Sequence, residues 1–135
     1  MDTMVEEVKL SFGRCIAAGD LIDRFYAIFL DSNPDIKPHF KDTNFTVQMA
    51  MLRQSVNLAI MFAAGSQVGH SGLDRIKKSH SKSELGIPPH LYKYWKESMI
   101  EAVSDTDPKF DHKLGAAWGK VLQLAVDHVA GDYES

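Results

Sequence analysis

The sequence predicts an all-α fold of about six or seven helices. Apolar residues recur at helical spacing along almost the whole chain, and no segment alternates with the two-residue period of a strand. The punctuation between apolar stretches is that of helix ends: Gly19, Asn33-Pro34, Gly65, Pro88-Pro89 and Asp107-Pro108. The 135 residues suffice for a single domain, 1–135, with a real core, and are too few for two.

Each helix has its own warrant. Val5, Val8, Phe12 and Ile16 form the first apolar stripe, and Gly19 stops it. Asp20 is the expected cap of a second helix whose inner face is Leu21, Phe25, Ile28 and Phe29. Asn33 precedes proline and so leaves the helical region, ending that helix. A short helical turn is expected from Asp35 to Phe40. Asp42, Thr43 or Asn44 caps the third long helix, which carries Phe45, Met49, Leu52, Val56, Ala59, Ile60 and Ala63. A polar connection is expected from Ser66 to Gly72, followed by a helix ending near His80 and a break at Gly86. Pro88-Pro89 opens the next helix, proline being tolerated in a first turn, with Leu91, Tyr92, Trp95, Met99 and Val103 inside. The last helix runs from about Asp111 to about Ala130 and buries Leu114, Trp118, Val121, Leu122, Ala125 and Val129.

Composition excludes several function classes. A net charge of -3 gives no footprint for nucleic acid or an anionic membrane surface. No apolar run reaches transmembrane length, so no membrane partner is expected. A single cysteine, Cys15, allows no internal disulfide, and the acidic start Met1 to Glu7 lacks a basic leader region; a cytoplasmic setting is expected. There is no HExxH, no Cys-x-x-Cys and no paired Glu-x-x-His. Gly-rich phosphate loops and the GxSxG elbow are absent as well, which argues against nucleotide enzymes and serine hydrolases.

Of six histidines, His80 is the most informative. Leu73 and Ile76 lie seven and four residues before it, which places an aliphatic ledge and the imidazole on one helix face. A helix that ends by aiming one imidazole into an apolar pocket can hold a porphyrin iron from one side. The Ile76 carbonyl, one turn earlier, and Ser79 are the local groups able to fix the other ring nitrogen. Three further elements would complete such a site. Phe40, at a corner after Pro38, is a flat aromatic to pack on the ring, or else a core residue. Tyr26, beside the inward Phe25, is a hydroxyl that needs a partner if buried, which a bound ligand would supply; the alternative is a tyrosine at the surface or bonded to a backbone carbonyl. Gln48 and Leu52 share a helix face, so Leu52 could roof the pocket while Gln48 donates to a ligand; the alternative is a solvent-facing Gln48 and an ordinary core Leu52. The other histidines (His39, His70, His90, His112 and His128) read as surface residues.

In order and spacing these residues resemble the bacterial single-domain globins, similar to the globin domain of flavohaemoglobins, over about residues 20 to 130. The resemblance is carried by Phe25-Tyr26-x-x-Phe29, Pro34, Pro38-x-Phe40, Gln48-x-x-x-Leu52, His80, Ile87-x-Pro89-x-x-Tyr92 and Ala117-Trp118-Gly119-Lys120. It implies a globin fold, six to eight helices around a haem pocket. It implies haem b, with His80 as the iron ligand, Phe40 stacked on the ring and Tyr26, Gln48 and Leu52 on the distal side. Phe25, Ile76, Ile87 and Tyr92 would complete the pocket wall, and Lys77 or His39 would meet a haem propionate. The segment from His80 to Ile87 is a little longer than the family pattern and that from Phe40 to Gln48 a little shorter, so Val56 is a further candidate for the pocket. Tyr92, with Glu134 or Asp132, could polarise His80; otherwise Tyr92 is a packing residue.

The leading functional expectation is reversible binding of dioxygen, carbon monoxide or nitric oxide for storage, delivery or sensing. The second is haem enzymology, nitric oxide dioxygenation or a peroxidase-like reaction, with electrons from a separate reductase. The third is a haem-free interaction module that keeps the bundle. The apolar and aromatic faces of the last two helices could support a homodimer.

Overall fold

The computed structural model describes residues 3–80 and 88–131. Helix α1 spans Thr3–Ala18 and buries Val5, Val8 and Phe12, with Ser11 and Cys15 on the same face. It stops at Gly19, whose φ of 97° is a left-handed conformation that glycine adopts without a Cβ penalty. Helix α2, Leu21–Ser32, follows, with Leu21, Phe25, Tyr26 and Phe29 buried. Asp20 precedes it but makes no side-chain cap bond, contrary to expectation. Its backbone (φ -118°, ψ 6°) lacks the extended conformation that aims a capping carboxylate at the first amides. Asn33 is extended ahead of Pro34, and a 3₁₀ turn at Lys37–Phe40 makes the corner.

Helix α3 runs over Phe45–Ala63. Among the three cap candidates Asn44 takes the role, its side chain accepting from the Thr46 and Val47 amides. The chain turns at Gly65, where φ is 85°, and enters α4, Gln67–His80. Most of the polar stretch expected as a connection is therefore helix. The reason is a close approach. A Cβ at Gly69 would lie 2.4 Å from the Phe62 amide nitrogen, so the two backbones meet at a distance only glycine permits. A glycine needed for packing reads in sequence as a loop glycine. After a 3₁₀ turn at Pro89–Leu91, α5 spans Tyr92–Thr106 and α6 His112–Ala130. The Asp111 side chain caps α6 by accepting from the Leu114 amide.

Among the described residues there is no strand. Helix α6 is the hub, packing on α1, α3, α4 and α5, while α3 packs on α4 and α2 on α5. Trp118, Val121 and Leu122 of α6 are fully buried. The core has two clusters. The larger joins α1, α2, α3, α5 and the middle of α6; the smaller gathers Leu58, Ala59, Leu73, Ala125 and Val129. Residues of both clusters line one cleft, so the space that the site occupies is where the two cores fail to close on each other.

Candidate functional site

That cleft holds about 1070 Å³ of atom-free space, counted out to its solvent-open mouth. Its walls are mostly apolar. Helix α3 contributes Gln48, Met51, Leu52, Ser55 and Ala59, a stripe at three- and four-residue intervals. Helix α4 contributes Leu73, Ile76, Ser79 and His80 by the same geometry. Phe25, Tyr26 and Phe29 come from α2, and Phe40 from the 3₁₀ corner.

His80 is partly buried and its two ring nitrogens are placed differently. Nδ1 lies 2.9 Å from the Ile76 carbonyl oxygen and 3.1 Å from Ser79 Oγ. Because Ser79 Oγ itself donates to the Ile76 carbonyl at 2.9 Å, Nδ1 carries the proton that points at these two oxygens. Nε2 is then the unprotonated nitrogen, the one that carries the acceptor lone pair. Burial pushes the His80 pKa down, and the hydrogen bond to Ile76 opposes this more weakly, so the neutral ring is favoured. A neutral imidazole with a fixed tautomer and an available Nε2 is the form that ligates a metal. The ring of Tyr92 lies beside it, centroids 6.2 Å apart.

Tyr26 is 4% exposed, and its hydroxyl donates to the Gln48 backbone carbonyl at 3.5 Å. That length is at the outer edge of a hydrogen bond, so the hydroxyl is weakly engaged. Burial raises its pKa to about 12, which keeps the proton on the oxygen and the group a donor. The aromatic wall is continuous. Phe25 stacks on Phe29 at 5.1 Å and meets Tyr26 edge-on at 4.9 Å, while Phe40 stacks on Phe45 at 6.2 Å and meets Tyr26 edge-on at 6.1 Å.

Of the residues singled out from sequence, Phe25, Tyr26, Phe40, Gln48, Leu52, Ile76, His80 and Tyr92 all line this cleft. Val56 does not. It sits about 40° round α3 from Leu52, on the side away from Ser55 and Ala59, and is fully buried in the larger core cluster. Lys77 is also outside the lining, one position past Ile76 on α4, whereas exposed His39 reaches it. Ile87, Asp132 and Glu134, and the break at Gly86, lie outside the described residues. Sequence reasoning missed Trp95 of α5 and Val126 of α6 as lining groups, although Trp95, Ala125 and Val129 were legible as inner-face residues. Nothing in a helical period tells a core wall from a cavity wall.

A family model described as Globin matches residues 23–129. A crystal structure from Pseudomonas aeruginosa PAO1, of a protein described as structurally highly homologous to a human hemoglobin, is 32% identical, covering 98% of this chain and 100% of its own, with a TM-score of 0.94. Among curated proteins none matches.

Proposed function

The chain belongs to the globin family, and on that premise we propose that it is a haem-binding globin that reversibly takes up a diatomic gas. The observation that carries this reading is His80: Nδ1 is tied to the Ile76 carbonyl, Nε2 is left with its lone pair, and the residue lines a large apolar cleft. The donor set fits haem b. His80 is the iron ligand, and Phe40, Phe25, Leu52, Ile76 and Tyr92 supply the apolar surface a porphyrin needs. Exposed His39, at the cleft, suits a propionate.

Bound haem supplies an iron that holds the imidazole and offers a further position to dioxygen, carbon monoxide or nitric oxide. The chain's own residues set the terms of that binding. The Ile76 carbonyl holds the imidazole proton at Nδ1 and keeps the ring from turning. Tyr26 offers a hydroxyl proton within an otherwise apolar wall, and Gln48 lines the same space. A hydrogen bond from Tyr26 to a partly charged ligand oxygen contributes on the order of 1–3 kcal/mol. Leu52 and the phenylalanines exclude water from that region. The same fittings serve storage, delivery or sensing, since a fold does not by itself fix the physiological role.

Absorption spectra of the purified protein test the reading in oxidised, reduced and carbon monoxide-bound forms, alongside His80→Ala. The wild type should show a Soret band that shifts on reduction and again with carbon monoxide, and the variant should lose it. No Soret band after hemin is supplied, or an unchanged band in His80→Ala, would leave a haem-free bundle as the better description.

A further inference from the structure

Away from the cleft, on the outer side of α4 and α6, three metal-ligating side chains converge. We propose that His70, Asp74 and His128 form a binding site for a divalent transition-metal ion of the zinc class. One ligand atom from each residue falls within a group whose members all lie within 4.8 Å of one another. His70 and Asp74 are one turn apart on α4, so their side chains share a face. His128 reaches them from the last turns of α6.

The present hydrogen bonds show how well the three are aimed. His128 Nε2 lies 2.6 Å from Asp74 Oδ1, and His70 Nδ1 lies 3.2 Å from Asp74 Oδ2. One carboxylate thus receives a ring nitrogen on each oxygen, and a metal ion would replace the two shared protons. The rings are also buttressed. Phe62 lies 5.9 Å from the His70 ring and 4.9 Å from that of His128, and the two imidazoles are 5.0 Å apart. Two imidazoles and one carboxylate suit zinc, copper or nickel and do not suit calcium or magnesium, which prefer all-oxygen sets. Both His70 and Asp74 are 48% exposed at the side chain, which leaves room for water to complete the coordination. Among the described residues this is the cluster of such groups dense enough to hold an ion.

The placement gives the site a consequence. The same two helices carry Leu73, Ile76, Ala125 and Val129 into the cleft. A metal bridging His128 to His70 and Asp74 therefore clamps two walls of the cleft from outside, independently of whether the cleft is filled.

The test is a zinc titration of the full chain in competition with a chromophoric chelator, repeated on His70→Ala, His128→Gln and His80→Ala. The wild type should bind one equivalent, with a raised Tm. His70→Ala and His128→Gln should each weaken binding by roughly tenfold or more, since even outer-shell losses reach that size. His80→Ala should bind as the wild type does. In His128→Gln the amide can still donate to Asp74, which holds the fold, and circular dichroism checks that both variants keep their helices. Nitrogen-15 resonances of the His70 and His128 imidazoles should shift together on adding zinc, with His112 unmoved. The proposal is overturned by a wild type that binds no zinc, by His70→Ala and His128→Gln binding it unchanged, or by loss of the equivalent in His80→Ala instead.

Discussion

The carboxylate of Asp107 and the imidazole of His80 are both withdrawn from water, and their surroundings differ in kind. Asp107 sits where α5 ends, its side chain wholly buried. It accepts from Ser11 Oγ at 2.6 Å, from Arg14 Nε and Nη2 at 2.8 and 2.9 Å, and from the Lys109 amide at 2.9 Å. Ser11 in turn accepts from Trp118 Nε1 at 3.0 Å. Every polar atom is used, and the network staples α1 to α6 and to the turn between α5 and α6. At His80 Nδ1 is fixed by its own helix, and the residue lines the cleft, where the proposed function gives Nε2 a ligand. Buried polarity that holds a fold is saturated; the proposed iron ligand differs in having only one ring nitrogen tied by the fold.

The contrast is sharpest in stability. Asp107→Ala should destabilise the protein by about 3 kcal/mol, the lower end of the range for breaking a buried ion pair, because the Arg14 side chain left behind is 30% exposed and can turn to water. His80→Ala should change the stability of the haem-free protein by only about 1 kcal/mol, since the Ile76 bond it loses is a local one. Urea unfolding of both variants without haem measures this directly. An equal loss at the two positions would mean that the imidazole is a structural group and would erase the distinction.

The Asp107 network also has a pH signature. Burial pushes its carboxyl up, but hydrogen bonds from Arg14, Ser11 and the Lys109 amide outweigh burial and bring the pKa down to about 2. The folded value lies below that of the unfolded chain, so the unfolded chain binds the extra proton. The associated stability is complete above about pH 4, the ordinary carboxylate value, and is lost as pH falls towards 2. Thermal melts from pH 5 to 2 should therefore fall more steeply for the wild type than for Asp107→Asn, which has no carboxyl to protonate. Parallel curves would show that the network gives the carboxylate no advantage over its unfolded state.

How much of this was legible in the sequence follows from the range of the interactions. The helix ends at Gly19, Asn33 and Gly65 and the Asn44 and Asp111 caps are local, and local chemistry names them or narrows them to a few residues. His80 and its partners Ile76 and Ser79 lie within one turn, so that half of the site was readable as well. Gly69 was misread because its reason, the Phe62 backbone, lies on another helix. Val56 was a further candidate for the pocket because the segment lengths around it left the register of α3 open, and only the packing of the larger core shows that its side is filled. The Asp107 network joins residues separated by 93 to 107 positions, and the sequence showed only a helix break at Asp107-Pro108. The His70–Asp74–His128 cluster joins positions 54 apart, and its members read singly as surface histidines and an acid.

The smallest expected stability effect is at Tyr26, and it decides whether this residue belongs with Asp107 or with His80. Its hydroxyl is buried, as a structural group would be, yet its bond to the Gln48 carbonyl at 3.5 Å is too long to stabilise much. Tyr26→Phe removes one oxygen and keeps the ring that packs on Phe25, Phe40 and Phe45. The haem-free variant should therefore unfold within about 0.5 kcal/mol of the wild type. If the proposed haem is bound, the hydroxyl matters in another way. Losing its bond to a ligand oxygen, on the order of 1–3 kcal/mol, should speed dioxygen release by roughly 5- to 150-fold. Carbon monoxide, with little charge to accept a proton, should be released at nearly the wild-type rate. Stopped-flow release of the two gases separates the alternatives. A stability loss with unchanged dioxygen release puts Tyr26 among the structural groups, and selective acceleration of dioxygen release puts it beside His80.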